Sequence, residues 1–111
     1  MITPPTYGMY KVLAQTNDVE NQEVLLTSNF QLDVNTILSK VNERTKMIFV
    51  CSPNNPTGNI VASHSITELL ESFDGLLILD EAYIDFSESS SWVSQLENYP
   101  NLIVTQTLSK A

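Results

Sequence analysis

Residues 47–58 read MIFVCSPNNPTG and combine two contrasting patterns. The first part, Met47 to Cys51, is a continuous apolar run, which is typical of a β-strand covered on both faces. The second part is rich in proline, asparagine and glycine and predicts a loop. Because parallel sheets carry their chemistry at the carboxyl ends of their strands, this loop is a candidate for function.

Two further strands follow the same pattern. Leu76 to Leu79 is a second buried strand, and Leu102 to Val104 opens a third. Glu23 to Thr27 predicts another strand before them. Helical segments separate these strands, so the class is α/β, with a mostly parallel sheet flanked by helices and right-handed crossovers.

The helices are predicted from spacing and capping signals. Asp33 is placed to cap a helix whose apolar residues recur at helical spacing over 34–41. Residues 65–68, Ser-Ile-Thr-Glu, match a capping box and predict the start of a second helix. Residues 9–13 predict a short helix, and residues 92–96 a weaker one.

Composition excludes several classes of protein. The 111 residues include 13 acidic and 5 basic ones, a formal net charge of −8, which argues against a nucleic-acid or anionic-membrane surface. The lone Cys51 cannot form an internal disulfide, so a reducing cytoplasm is expected. One cysteine and one histidine cannot build a metal site with soft ligands. The length suits one domain or part of one, and the stop soon after a strand suggests a segment of a longer protein.

Polar clusters follow all three core strands, at residues 52–58, 80–83 and 107–110. If the strands are parallel and adjacent, an amide, a carboxylate, a phenol and an amine meet on one rim. A pyridine-ring aldehyde cofactor requires this set. The amine forms an imine, the carboxylate keeps the ring nitrogen protonated, and the amide and phenol bind the ring oxygen, while hydroxyls bind the phosphate.

The motifs SPNNPTG (52–58), DEAY (80–83) and TLSKA (107–111), in this order, resemble fold-type I pyridoxal-phosphate-dependent aminotransferases. PPTYGMY (4–10) and FQLD (30–33) add a resemblance to the histidinol-phosphate aminotransferase branch of that family. The resemblance covers essentially the whole chain. It implies that residues 1–111 are part of the cofactor-binding large domain.

The resemblance implies pyridoxal 5′-phosphate as the cofactor and Lys110 as the catalytic amine. It pairs Asp80 with the pyridinium nitrogen. It also implies that Tyr7 stacks on the ring. Asn55 and Tyr83 are the implied partners of the ring oxygen, and the hydroxyls of Thr107 and Ser109 those of the phosphate.

The implied reaction is reversible amino transfer between histidinol phosphate and 2-oxoglutarate, with glutamate as the other partner, in L-histidine biosynthesis by a homodimer. The segments that bind the rest of the phosphate and the substrate carboxylate are absent from this sequence, so the chain alone is expected to be inactive. Alternatives are a threonine-phosphate decarboxylase, an aromatic or aspartate aminotransferase, or a non-catalytic folded fragment. A P-loop ATPase would need a Gly-x-x-x-x-Gly-Lys-Ser/Thr loop, which the sequence lacks.

Several other residues in or beside these motifs receive structural interpretations. Tyr10 is expected to pack, Cys51 to be a small buried hydrophobe, and Glu81 to be a charge at a helix start. For Asn54, Asn55 and Pro56, the chemistry of a turn is the alternative to a functional role.

Overall fold

The computed structural model describes residues 1–86 and 90–107. In this part of the chain, three strands form one parallel sheet in the order β1 (Met47–Cys51), β2 (Leu76–Asp80) and β3 (Leu102–Thr105). The register pairs Cys51 with Asp80 and Asp80 with Thr105, so all three strands end at the same level. The predicted parallel α/β architecture is confirmed.

Helices lie between and before the strands. They are α1 (Met9–Thr16), α2 (Val34–Lys40) and α3 (Ser63–Ser72), and short 3₁₀ turns cover Ile84–Phe86 and Trp92–Gln95. The core lies between the sheet and the packed pair α2 and α3. Its fully buried aliphatic side chains are Ile37, Ile48, Val50, Ile66, Leu69, Leu77 and Leu79.

One of the two predicted caps is confirmed. The Asp33 carboxylate accepts a hydrogen bond from the backbone N–H of Thr36 at 3.2 Å, at the start of α2. The capping box at residues 65–68 is wrong, because α3 begins two residues earlier and Ser65 is buried inside it. A distant side chain serves this helix start instead: the N–H of Ala62 donates to Oε1 of Gln31 at 2.9 Å. The weaker predicted helix at 92–96 is a 3₁₀ turn.

The strand predicted over Glu23–Thr27 is also wrong. Ile2 and Glu23 form a parallel bridge there, supported by hydrogen bonds from the N–H of Val24 to the Ile2 carbonyl and from the N–H of Leu26 to the Pro4 carbonyl. The intervening bond of a parallel ladder would need an N–H at Pro4. Proline has none, so the pairing does not develop into a strand.

Helix α1 is confirmed, but its packing differs from the usual use of an apolar stripe. The predicted helical set, Met9, Val12 and Leu13, is exposed. The buried residue of this helix is Tyr10, whose ring lies 5.2 Å from that of Phe49 on β1. None of the helices in the described ranges has the length and hydrophobicity needed to cross a membrane.

Asn54 ties the loop after β1 to the segment that precedes α1. Its Nδ2 donates to the Pro5 carbonyl at 2.8 Å and to the Thr57 hydroxyl at 2.9 Å. Its Oδ1 accepts from the Thr6 hydroxyl at 2.9 Å, and only 4% of the residue is exposed. The side chain therefore fixes two segments that are distant in sequence, as well as the turn predicted around it.

We predict that Asn54→Ala lowers the free energy of unfolding by about 1–3 kcal/mol, because it leaves buried polar partners unsatisfied. Asn55→Ala, at the neighbouring half-buried position, should change it by less than about 0.5 kcal/mol. Urea unfolding of the two variants measures the difference. Equal losses would contradict a structural role specific to Asn54.

Gly75 provides a second test of the packing. A Cβ at this position would lie 2.6 Å from the carbonyl oxygen of Lys46, a backbone atom that cannot rotate away. Gly75→Ala should therefore cost about 1–3 kcal/mol in unfolding free energy. Gly8→Ala is the matched control, because no described atom lies within 4 Å of its added Cβ. An unchanged stability of Gly75→Ala would show that the approach of these segments is looser than described.

Candidate active site

An open cavity of about 320 Å³ lies at the carboxyl ends of the three strands. Its volume is near the lower end of small-molecule sites, which span roughly 300–1,000 Å³. Four of the predicted site residues lie in its wall. The full lining in the described ranges is Tyr7, Cys51, Asp80, Ala82, Tyr83, Gln106 and Thr107.

Asp80 ends β2 and is held at both carboxylate oxygens. Oδ2 accepts the phenolic O–H of Tyr10 at 2.5 Å, and Oδ1 accepts the backbone N–H of Ala82 at 3.0 Å. The two bonds fix the plane of the carboxylate while it remains in the cavity wall. A cationic or N–H group of a ligand could pair with it there.

Tyr10 was expected only to pack, and that interpretation is incomplete. Its ring does pack, against Phe49 and edge-on to Tyr7, but its hydroxyl donates to Asp80. Burial and the bond to Asp80 raise the pKa of Tyr10 far above its usual value, so the phenol remains a donor. No local pattern indicates this contact, because 70 residues separate the partners.

Tyr7, Asn55 and Tyr83 come from three different segments, which precede α1, follow β1 and follow β2. Tyr7 is 42% exposed, and its ring meets that of Tyr10 at 5.5 Å and 89°. Nδ2 of Asn55 lies 3.4 Å from the Tyr83 hydroxyl, so the amide and the phenol predicted to share one ligand oxygen are neighbours. The loops after β1 and β2 therefore meet at this pair, and of the two residues Tyr83 lies in the cavity lining.

Cys51 is buried, as expected, and also faces the cavity. Its thiol lies 3.4 Å from the Pro53 carbonyl. Burial raises the pKa of the Cys51 thiol, which keeps it protonated and poorly nucleophilic. The thiol is therefore a wall of the cavity, without the reactivity of a nucleophile.

Thr107 lines the cavity, whereas Ser109 and Lys110 lie outside the described residues. Glu81 was expected to be a charge at a helix start, whereas it is 1% exposed and its side chain lies inside the protein. Within the described ranges, no group of three or more His, Cys, Asp or Glu side chains is arranged to hold a metal ion.

Three comparisons bear on this arrangement. A histidinol-phosphate aminotransferase from Flavobacterium johnsoniae is 61% identical over 108 residues, which is 97% of this chain and 31% of that protein. The chain thus spans about a third of the length of such relatives. The crystal structure of the histidinol-phosphate aminotransferase from Clostridium acetobutylicum superposes with a TM-score of 0.88 at 28% identity, covering 98% of this chain and 34% of that one.

An alanine aminotransferase from Pyrococcus furiosus also superposes, with a TM-score of 0.83 at 27% identity, over 97% of this chain and 29% of that one. The described strip of sheet is therefore shared by aminotransferases named for different substrates. The family model for aminotransferase class I and II matches residues 1–111. The chain belongs to the class I and II aminotransferase family.

Proposed function

We propose that this chain is part of the large domain of a pyridoxal-phosphate-dependent aminotransferase that transfers an amino group between histidinol phosphate and 2-oxoglutarate. The observation that carries the proposal is the meeting of Asp80, Tyr83, Thr107 and Tyr7 around one cavity. The substrate is supported by the name of the relative from Flavobacterium johnsoniae, 61% identical over 97% of this chain.

The chemistry of the cavity wall suits pyridoxal 5′-phosphate. A fixed carboxylate at Asp80 complements a protonated ring nitrogen, and the adjacent amide and phenol of Asn55 and Tyr83 complement a ring oxygen. The Thr107 hydroxyl complements a phosphate. When bound, the cofactor supplies the electron sink that amino transfer requires.

Asp80 and Tyr10 act together in this proposal. The Asp80 carboxylate holds a proton on the ring nitrogen, because an opposite charge at short range favours the protonated form. Tyr10 keeps the carboxylate in place by donating to Oδ2, while Oδ1 is held by the N–H of Ala82. Tyr10 is thus a positioning residue that acts through Asp80.

The remaining roles are those that the family resemblance implies, and the places of Tyr7, Tyr83 and Thr107 in the cavity wall support them. Tyr7 covers one face of the ring, and Asn55 and Tyr83 donate to its oxygen. Thr107 and Ser109 bind the phosphate. The Lys110 amine would hold the cofactor and would move the proton at the substrate's α-carbon.

The wider biology is part of the same proposal. The full-length protein would serve L-histidine biosynthesis in the cytoplasm, as a homodimer, with glutamate as the amino donor or product. The class I and II aminotransferase family match weighs against the P-loop ATPase alternative. A relative of different substrate, such as a threonine-phosphate decarboxylase or an aromatic or aspartate aminotransferase, remains the competing proposal, since the similar fold of an alanine aminotransferase does not discriminate.

A substrate panel tests the reaction. Purified full-length protein should transfer the amino group of histidinol phosphate to 2-oxoglutarate with a kcat/KM at least tenfold above that for aspartate or phenylalanine, since each 1.4 kcal/mol of selective binding gives about a factor of ten. Carbon dioxide release from threonine phosphate serves as the contrast. A preference for any of these other substrates would overturn the assignment while leaving the family unchanged.

Borohydride reduction tests the attachment residue. Reduction of the cofactor-loaded protein, followed by peptide mapping, should place the label on Lys110, and Lys110→Ala should abolish both the label and the visible absorbance. The other lysines, Lys11, Lys40 and Lys46, are internal controls. Label on one of these would refute the role of Lys110.

Variants at the ring-nitrogen partner test the charge pairing. Asp80→Ala should lower kcat by about 10²–10³, because it removes an ion pair that operates in the transition state. Tyr10→Phe should lower kcat by about tenfold and shift the pH profile of the bound cofactor's absorbance, because only the positioning bond is lost. Tyr99→Phe is the control, because the Tyr99 ring lies at a tilted angle to that of Trp92, 6.4 Å between centroids. A normal pH profile in Tyr10→Phe would show that Tyr10 only packs.

A further inference from the structure

Glu81 is a buried carboxylate that accepts hydrogen bonds from three donors. Oε1 accepts the Ser91 hydroxyl at 2.5 Å and Nε2 of Gln106 at 3.0 Å. Oε2 accepts the backbone N–H of Trp92 at 2.8 Å. The side chain joins three segments that lie 10 to 25 residues apart.

Stability alone is a poor explanation for this residue. A carboxylate taken out of water loses hydration, and neutral donors return only part of that free energy. Among the residues that the structure describes, no lysine or arginine forms an ion pair with Glu81. An apolar side chain could fill the same space, but it could not hold Ser91, Trp92 and Gln106 in one arrangement.

Glu81 contacts the two residues that precede Thr107 in the chain, Thr105 and Gln106. The backbone N–H of Glu81 donates to the Thr105 carbonyl at 2.7 Å, which extends the ladder between β2 and β3. Its side chain then holds Gln106, whose Nε2 also donates to the Ser91 hydroxyl at 3.1 Å. Gln106 and Thr107 both line the cavity.

We propose that Glu81 is a positioning residue that, through Gln106, sets the place of Thr107 for binding the phosphate of the cofactor. The inference rests on the proposed function, because Thr107 is assigned to the phosphate there. It gives the second acid of the DEAY motif a role distinct from that of Asp80. Asp80 pairs with the ring of the cofactor, and Glu81 acts indirectly at its phosphate.

The test compares two ligands that differ only in the phosphate. The cofactor-free, full-length protein is titrated with pyridoxal 5′-phosphate and with pyridoxal. Glu81→Gln keeps the shape of the side chain but replaces one acceptor oxygen with an NH₂ donor. In one orientation of the amide this donor faces the donors of Ser91 and Gln106, and in the other it faces the N–H of Trp92. Its Kd for pyridoxal 5′-phosphate should rise about tenfold, while its Kd for pyridoxal should change less than about twofold.

Two controls and a second test variant separate positioning from simpler effects. Glu97→Gln, at an exposed site, makes the same change of charge, and Leu69→Ala destabilises the core behind the sheet. Both should leave the affinity ratio of the two ligands unchanged. Gln106→Leu should lower that ratio as Glu81→Gln does. The double variant, Glu81→Gln with Gln106→Leu, should lower it little further, because both substitutions break the same chain of contacts. Gln106 is exposed, so this variant provides the result if Glu81→Gln fails to fold.

The outcomes distinguish the two proposals. Wild-type protein that does not bind pyridoxal 5′-phosphate overturns the proposed function, and the inference with it. Wild-type binding with an equal loss for both ligands in Glu81→Gln leaves the function standing and overturns the inference. Additive losses in the double variant overturn the path through Gln106.

Discussion

The register of the three parallel strands places Cys51, Asp80 and Thr105 side by side, and the site depends on that alignment. Backbone hydrogen bonds carry the ladder one residue further, from the N–H of Ser52 to the Asp80 carbonyl at 3.0 Å and from the N–H of Glu81 to the Thr105 carbonyl at 2.7 Å. The loops therefore start from fixed points. A slip of one residue in β2 would turn Asp80 away from the cavity and put Glu81 in its place.

The two acids at the end of β2 have different surroundings because successive side chains of an extended chain point in opposite directions. Asp80 is only half-buried, faces the cavity and is held by Tyr10 and Ala82. Glu81 is almost fully buried, and Ser91, Trp92 and Gln106 satisfy it. Of these two adjacent acids, Asp80 is therefore placed to contact a ligand, and Glu81 holds the surrounding loops.

Features determined locally were predictable from the sequence, and features determined by distant partners were not. Continuous apolar runs predicted all three strands of the described sheet, and the Asp33 cap involves a neighbour three residues away. The capping box failed as a prediction because the start of α3 is bonded instead by Gln31, which lies 31 residues from Ala62. The bond of Tyr10 to Asp80 and the burial of Glu81 likewise depend on long-range contacts. The order of the strands indicated which polar clusters share a rim, and the family resemblance assigned the individual residues, since turn chemistry alone does not separate Asn54 from Asn55.

Charge sets the orientation that the proposed cofactor would take. The chain carries a net charge of −8, and the cavity lining in the described ranges contains an acid, Asp80, and no lysine or arginine. A carboxylate attracts the cationic ring nitrogen and repels the phosphate, so the two ends of the ligand must lie apart. Because donors in direct contact outweigh a screened long-range field, hydroxyls near Thr107 can hold the phosphate despite the acidic surface. Glu81 points away from this site, and its carboxylate oxygens are already occupied by three hydrogen-bond donors.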